Sequence, residues 1–133
     1  MTQPHPAGSE TSIEFRVRYA ECDPMNVAHH GAYPVWMEVG RTEALREHGV
    51  AYRDLETRGV FFVVARLSIR YRRPARYDDL LRLRVRTLPT AGVKVEHEYE
   101  FHRGDELIAT ATTTLVCVDR HGKLQPIPTG AVG

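Results

Sequence analysis

The chain has 133 residues, of which 42% are apolar, and a formal net charge of +1 at pH 7. This length is typical of one domain with a single core. The near-neutral charge argues against general nucleic-acid binding, and no run of about eighteen apolar residues predicts a membrane span. We expect one domain over residues 1–133 with loose ends at 1–11 and 125–133. Because the first residues lack an apolar leader, we expect a cytoplasmic protein.

The first elements are a strand, a turn and a long helix. Apolar and charged residues alternate from Ile13 to Ala20, which predicts a half-buried strand. The helix is expected from Tyr33 to His48, with Pro34 at its first position and Gly49 as its stop. Its apolar residues are expected to face a sheet and are Val35, Trp36, Val39, Ala44 and Leu45.

Separate predictions apply to three other positions of this helix. Gly40 costs helix stability, roughly 1 kcal/mol against Ala, so we expect another backbone or side chain to approach it closely. Arg41 and Glu43 are expected on the side that faces solvent.

The rest of the chain reads as a connection followed by four strands. Residues 50–59 are expected to hold a short helical turn. Strands are predicted at Val60–Arg72, Leu81–Thr87, Val93–Phe101 and Leu107–Asp119, the first with a break near its start. Short connections favour an antiparallel sheet, which can bury its apolar face on the helix. The fold class is therefore α+β, with a five-stranded antiparallel sheet wrapped around one long helix.

The turn before the helix carries the residues with chemical potential. Asp23 leaves the strand, and His29 and His30 precede the helix. A carboxylate, imidazoles and unpaired helix amides can bind a carbonyl and either activate water or attack directly. The same residues also fit an ordinary Asp-Pro turn with solvated histidines.

Two segments resemble the 4-hydroxybenzoyl-CoA thioesterase group of hotdog-fold proteins. They read VRYAECDPMNVAHHGAYPVWMEVGRTEALRE, from Val17, and IRYRRPARYDDL, from Ile69. The resemblance implies a hotdog fold and hydrolysis of acyl-CoA thioesters with a short-chain or aromatic acyl group. It also implies a homodimer or homotetramer with sites between subunits. No cofactor is implied, because coenzyme A is part of the substrate.

The resemblance also implies roles for single residues. Asp23 would be the nucleophile or the general base, and the amides at the start of the helix would polarise the carbonyl. His30, seven residues after Asp23, would contact the thioester or hold water. Tyr19, four residues before Asp23, would belong to the site, although packing in the strand explains it equally well. Two positions depart from the family pattern, which has Gly at Asn26 and Asn at Ala32.

The remaining candidates would bind substrate. Arginine suits bidentate contact with phosphate, and eight arginines lie between Arg66 and Arg86. Arg82, Arg84 and Arg86 alternate within a strand and fit a solvent-facing surface as well as they fit a ligand site. The substrate-binding candidates are Val27, Tyr33, Arg70, Arg72, Arg73 and Arg76.

Other functions are weighed on the same residues. No metal is expected, because His29 and His30 are adjacent and lack spaced partner ligands. A non-catalytic protein that binds acyl-CoA or an acyl carrier is the main alternative, since hotdog folds serve more than one function. A hydratase or dehydratase is the second alternative, and Asp23 in the turn favours hydrolysis over it.

Overall fold

The computed structural model describes residues 9–89 and 92–128. One long helix and five strands account for most of this part of the chain, which confirms the predicted α+β class. In chain order the elements are β1 (Ser9–Arg16), a 3-10 turn (Tyr19–Glu21), α1 (Ala32–Glu47), α2 (Tyr52–Thr57), β2 (Phe61–Tyr71), β3 (Leu80–Thr87), β4 (Lys94–Arg103) and β5 (Glu106–Val118).

The strands form one antiparallel sheet in the order β1-β3-β4-β5-β2. β2 pairs with β5 and not with β3, its successor in the chain, so β1 and β2 are the two edges. The register of β2 shifts between Val64 and Arg66, where the sequence predicts a break. Helix α1 packs most closely on β1 and β3, which leaves the helix-facing side of β2 partly uncovered.

Strand β1 begins and ends earlier than predicted. It starts at Ser9, and Thr11, which was expected in a loose end, is buried and donates a hydrogen bond to Glu47. It ends at Arg16 because the Glu21 carboxylate accepts hydrogen bonds from the amide and the guanidinium of Arg18 and starts a 3-10 turn there. The prediction that the strand continues to Ala20 is therefore wrong.

The buried face of α1 differs from the predicted one. Val35 and Val39 are 52% and 46% exposed, whereas Arg41 is only 6% exposed. The buried residues follow the i, i+3, i+4, i+7 spacing of one helix face: Tyr33, Trp36, Met37, Gly40, Arg41, Ala44 and Leu45. A glycine and an arginine occupy this face, so hydrophobicity alone does not identify it.

Gly40 lies where the helix meets the sheet. A Cβ at this position would lie 2.8 Å from Leu83 Cδ2 and 2.8 Å from Val85 Cγ2. Both side chains are in the core. The close approach predicted for this glycine is confirmed.

The segment after β5 packs on the domain as far as it is described. The Gln125 side-chain amide donates to the carbonyls of Gly59 and Val118, and Ile127 packs against the cluster around Leu55 and Cys117. The expectation of a loose end is thus wrong for residues 125–128. Residues 1–8 and 129–133, the remainder of the two predicted ends, lie outside the described residues.

The outer face of the sheet is charged. Arg84 pairs with Glu10 and Glu100 on the neighbouring strands, and Arg86 pairs with Glu98. These pairs favour the interpretation of Arg84 and Arg86 as a solvent-facing surface.

Within residues 9–89 and 92–128, no helix has the length and apolar character needed to cross a membrane.

Candidate functional site

Asp23 organises the turn that leads to helix α1. Its Oδ1 atom accepts hydrogen bonds from the amides of Met25 (2.9 Å) and Val27 (3.3 Å), and its amide donates to the Val27 carbonyl at 2.9 Å. Asn26 has φ 63°, a left-handed conformation that Asn tolerates. The turn thus forms with Asn in the position where the family has Gly.

The two sequence motifs meet at this turn. The Ala28 amide donates to the Ala75 carbonyl at 2.7 Å, and Val27 forms a β-bridge with Arg76. The segment after β2 therefore lies beside the segment after Asp23. This proximity is what places the arginines of the second motif near the helix start.

His29 accepts hydrogen bonds from two of the backbone amides at the start of α1. Its Nδ1 accepts from the Gly31 amide at 3.0 Å, and its carbonyl accepts from the Ala32 amide at 2.9 Å. Pro34, predicted first in the helix, is its third residue and has no amide hydrogen. Within the described residues, the amides of His30 and Tyr33 are left without an acceptor at this helix start. They are the donors that a bound oxyanion could use.

A cleft of about 270 Å³ opens between this helix start and the end of β2. Its lining includes Ala28, Tyr71 and Pro74. Five of the predicted site residues also line it: Val27, His30, Tyr33, Arg72 and Arg73. The Tyr71 hydroxyl donates to the His30 carbonyl at 2.8 Å and so ties β2 to the helix start. Sequence reasoning missed Tyr71, because it reads as one more alternating residue of a strand.

Tyr33 forms the buried wall of this cleft. It is 2% exposed and makes edge contacts with the rings of Trp36, Tyr71 and Phe101, with centroid distances of 4.8, 4.9 and 5.1 Å. Burial raises the pKa of Tyr33 to about 12, so the phenol stays protonated at neutral pH. These ring contacts make the wall an aromatic surface at the inner side of the cleft.

Four other predicted site residues do not line the cleft. Asp23 borders it through Val27, whose amide is bonded to the Asp23 carboxylate. Tyr19 lies in the 3-10 turn, is 78% exposed and stacks edge-on against Tyr77 at 5.7 Å. The alternative of strand packing for Tyr19 is therefore wrong. Arg70 and Arg76 are exposed on neighbouring segments.

The two histidines face different spaces. His30 lines the cleft described above, while His29 lines a second cleft of about 300 Å³ with Arg18 and Glu21. Their rings stack with centroids 4.1 Å apart. That His30 is the better candidate for contact with a ligand stays a prediction.

Glu21 is a second residue that sequence reasoning missed. Its Oε2 accepts a hydrogen bond from Trp36 Nε1 at 2.8 Å and links the 3-10 turn to α1. Burial alone would raise the pKa of Glu21, but hydrogen bonds from Arg18 and Trp36 outweigh burial and lower it. The sequence signal that could have identified Glu21 is its spacing from Arg18, Arg-x-x-Glu, just after a strand.

Cys22, next to Asp23, does not have the character of a nucleophile. Burial and the nearby carboxylates of Glu21, Asp23 and Asp79 raise the pKa of its thiol, which disfavours the reactive thiolate. In the part of the chain that the structure describes, no group of three His, Cys, Asp or Glu side chains is arranged to hold a metal ion.

Similar proteins point to one family. The model of the thioesterase-like superfamily matches residues 17–132. YneP of Bacillus subtilis is 36% identical over 108 residues, which cover 80% of this chain and 78% of YneP. YbgC of Haemophilus influenzae, named an acyl-CoA thioesterase, is 32% identical over 87% of this chain and 85% of its own length.

A solved structure supports the same relationship. The DHNA-CoA thioesterase of Staphylococcus aureus superposes with a TM-score of 0.82 at 28% identity, over 89% of this chain and 79% of that protein. The hotdog fold and the expectation of an enzyme of the thioesterase type are thereby confirmed. The chain belongs to the thioesterase-like superfamily.

Proposed function

We propose that this protein hydrolyses acyl-CoA thioesters at the cleft between the Asp23 turn and the end of β2. The observation that carries the proposal is the convergence of His30, Tyr33 and two arginines on one cleft beside the Asp23 turn. Relatives named as acyl-CoA thioesterases support the same substrate class. A cytoplasmic location stays a prediction.

Asp23 is proposed to act through the oxygen that its own turn does not use. The amides of Met25 and Val27 hold Oδ1, and within the described residues Oδ2 accepts no hydrogen bond. Oδ2 either attacks the thioester carbon, forming a mixed anhydride as the C–S bond breaks, or removes a proton from an attacking water. In both routes the coenzyme A thiolate leaves. In the first, water then attacks the acyl carbon of the anhydride, which releases the acid and restores the Asp23 carboxylate; in the second, water adds directly to the thioester carbon.

The developing oxyanion is proposed to accept hydrogen bonds from the amides of His30 and Tyr33. Helix N-terminal amides favour negative charge, and such donors contribute most when they are already in place. The His30 side chain would contact the thioester or a water molecule. Tyr19 is also proposed as a site residue. Because it is exposed in the single chain, this role requires that substrate or a second subunit covers it.

The arginines near the cleft are proposed to bind the phosphates of coenzyme A. Arg72 and Arg73 line the cleft, Arg76 bridges to Val27 at its border, and Arg70 lies on the outer side of β2 opposite Thr110. Arg73 already pairs with Glu106 at 3.0 Å, an exposed pair that a phosphate can replace at little cost. The acyl group is proposed to be short-chain or aromatic, because the cleft is small and Tyr33 forms its inner wall.

The proposal includes a homodimer or homotetramer with the site between subunits. A single chain leaves the cleft open to solvent and leaves Val64, Leu67 and Tyr71 of the β2 edge 45%, 40% and 47% exposed. A second subunit would cover both. No cofactor or metal is invoked, since the chemistry needs only the carboxylate, the amides and water.

The test compares Asp23→Asn and Asp23→Ala with wild type by detection of the free thiol from a panel of acyl-CoA esters. Asn keeps an oxygen for the Met25 and Val27 amides, so it separates loss of chemistry from loss of folding. We expect both variants to lower turnover by at least about 100-fold. Asp54→Ala, on the exposed side of α2, is the matched control. Near-wild-type hydrolysis by Asp23→Asn would contradict both routes.

One observation favours the alternative of a non-catalytic acyl-CoA or acyl-carrier binding protein. The Asp23 carboxylate stabilises its own turn and does not line the cleft of the single chain. A binder would take up a thioester without releasing thiol. Thioester affinity measured by calorimetry, alongside thiol release from the same sample, distinguishes the two functions.

A further inference from the structure

Arg41 is a buried charge away from the proposed active site. It is 6% exposed; its Nη1 donates to the Tyr99 hydroxyl at 3.5 Å, the long limit for such a bond, and its guanidinium also hydrogen-bonds the Tyr52 side chain. Among residues 9–89 and 92–128, no carboxylate lies within 4 Å of its guanidinium. A buried guanidinium with five donors and no anion is costly unless a partner completes its contacts.

Arg41 opens on a cleft of about 300 Å³ between α1, α2 and the β2–β5 pair. The cleft is lined by Arg41 and by Glu38, Thr42, Tyr52, Glu56, Phe62 and Leu115. None of these residues lines the cleft at Tyr33. Arg41 lies eight residues after Tyr33 in α1, which is about 12 Å along the helix axis. The two clefts are therefore separate sites.

The walls of this cleft combine apolar surface with hydrogen-bond donors. Leu115 is buried, and Phe62 contacts the Tyr52 ring with centroids 6.3 Å apart. Burial raises the pKa of Tyr52 to about 12 against the opposing effect of the Arg41 charge, so its hydroxyl stays a donor at neutral pH. Such a site suits a ligand with one polar end and a small apolar body.

The rim limits the charge that a ligand can carry. Glu38 and Glu56 are exposed at the mouth of the cleft, where they repel an anion, and they repel a dianion more strongly than a monoanion. A guanidinium pairs best with a planar carboxylate through two parallel hydrogen bonds. We propose that the Arg41 cleft binds a small organic monocarboxylate whose carboxylate pairs with Arg41 and whose apolar body lies against Phe62 and Leu115.

The test measures benzoate binding to the wild-type protein by calorimetry, with benzamide as the neutral analogue and isophthalate as the dianion. We expect benzoate to bind at least about tenfold more tightly than benzamide, because hydrogen bonds between charged groups are stronger than those to a neutral amide. Arg41→Met should weaken benzoate binding by the same factor. Arg46→Met, an exposed arginine of the same helix, and Arg72→Met, in the other cleft, are the matched controls.

Two further measurements keep the test decisive if Arg41→Met does not fold. Benzoate should shift the backbone amide signals of Thr42 and Leu115 in the NMR spectrum of wild type, and not those of His30 and Tyr33. Glu38→Gln combined with Glu56→Gln should improve isophthalate binding more than benzoate binding. Equal affinity for benzoate and benzamide, loss of binding in Arg72→Met, or shifts confined to His30 and Tyr33 would each overturn the proposal.

Discussion

Gly40 is the residue on which the contact between helix and sheet depends. Alanine normally stabilises a helix interior by about 1 kcal/mol relative to glycine. Here the added methyl would lie 2.8 Å from two buried side chains, and overpacking costs about 1–3 kcal/mol. We expect Gly40→Ala to lower the free energy of unfolding, as measured by urea denaturation.

The second arm of this experiment identifies the cause. Val85→Ala removes one of the two methyl groups that the new Cβ would meet and leaves Leu83 Cδ2, so the double variant should lose less stability than the sum of the two single variants. A stabilised Gly40→Ala, or strict additivity in the double variant, would show that the backbone has space to adjust.

The Tyr71 hydroxyl joins the two sides of the cleft, and its removal tests how much this hydrogen bond contributes. Tyr71→Phe keeps the ring against Tyr33 and removes only the hydrogen bond to the His30 carbonyl. A bond of this kind contributes about 1 kcal/mol, so we expect up to about fivefold lower kcat on the best thioester. Tyr77→Phe, which keeps its stacking on Tyr19, is the control. Equal activity of both variants would remove Tyr71 from the positioning of His30.

At the scale of elements, Glu21 joins the 3-10 turn to helix α1 through Trp36. The pKa of Glu21 is lowered in the folded protein because hydrogen bonds from Arg18 and Trp36 outweigh burial. A depressed folded pKa contributes stability above the unfolded value of 4.5, and this contribution is lost as the pH falls through the folded pKa. Glu21→Gln should therefore be less stable than wild type at pH 7.

The pH profile of unfolding checks this sign. The gap between wild type and Glu21→Gln should stay constant from pH 7 to about pH 5 and shrink below the unfolded pKa. Glu14→Gln, an exposed carboxylate on β1, is the control and should show no such gap. A gap that widens as the pH falls would contradict the role given to Glu21.

The elements also show what the sequence could predict and what it could not. Period-two alternation located four of the strands within a few residues, because burial of one sheet face sets that period. The face of α1 was misjudged, because Gly40 and Arg41 are buried while Val35 and Val39 are exposed. The pairing of β2 with β5 depends on contacts between segments far apart in the chain. Local periodicity carries no information about such contacts.

The candidate site also has features that the sequence predicts and features that only the folded structure shows. The spacing of Asp23, His30 and Tyr33 identified a turn and a helix start that the structure brings beside one cleft. The hydrogen bonds of His29 to Gly31 and Ala32, and of Tyr71 to His30, arise only once the chain is folded. Sequence therefore located the region, and side-chain geometry determined which donors are left for a substrate.

At the scale of the whole molecule, the uncovered side of β2 is the feature that a single chain does not explain. Val64, Leu67 and Tyr71 point to the same side as the helix, yet α1 packs on the opposite half of the sheet. An edge strand with exposed apolar residues is a surface for association. The expected homodimer or homotetramer would cover this strand and close the cleft that Tyr71 lines.

Leu67→Lys tests this association. A lysine on the uncovered side of β2 would bring a charge into the subunit contact, so we expect a shift toward monomer in analytical ultracentrifugation and a parallel loss of thioesterase activity. Ser68→Lys is the matched control, because Ser68 is the next residue, is exposed, and faces the outer side of the sheet opposite Thr112. Equal sedimentation of the two variants would place the subunit contact elsewhere. A monomeric Leu67→Lys with full activity would show that the site is complete within one chain.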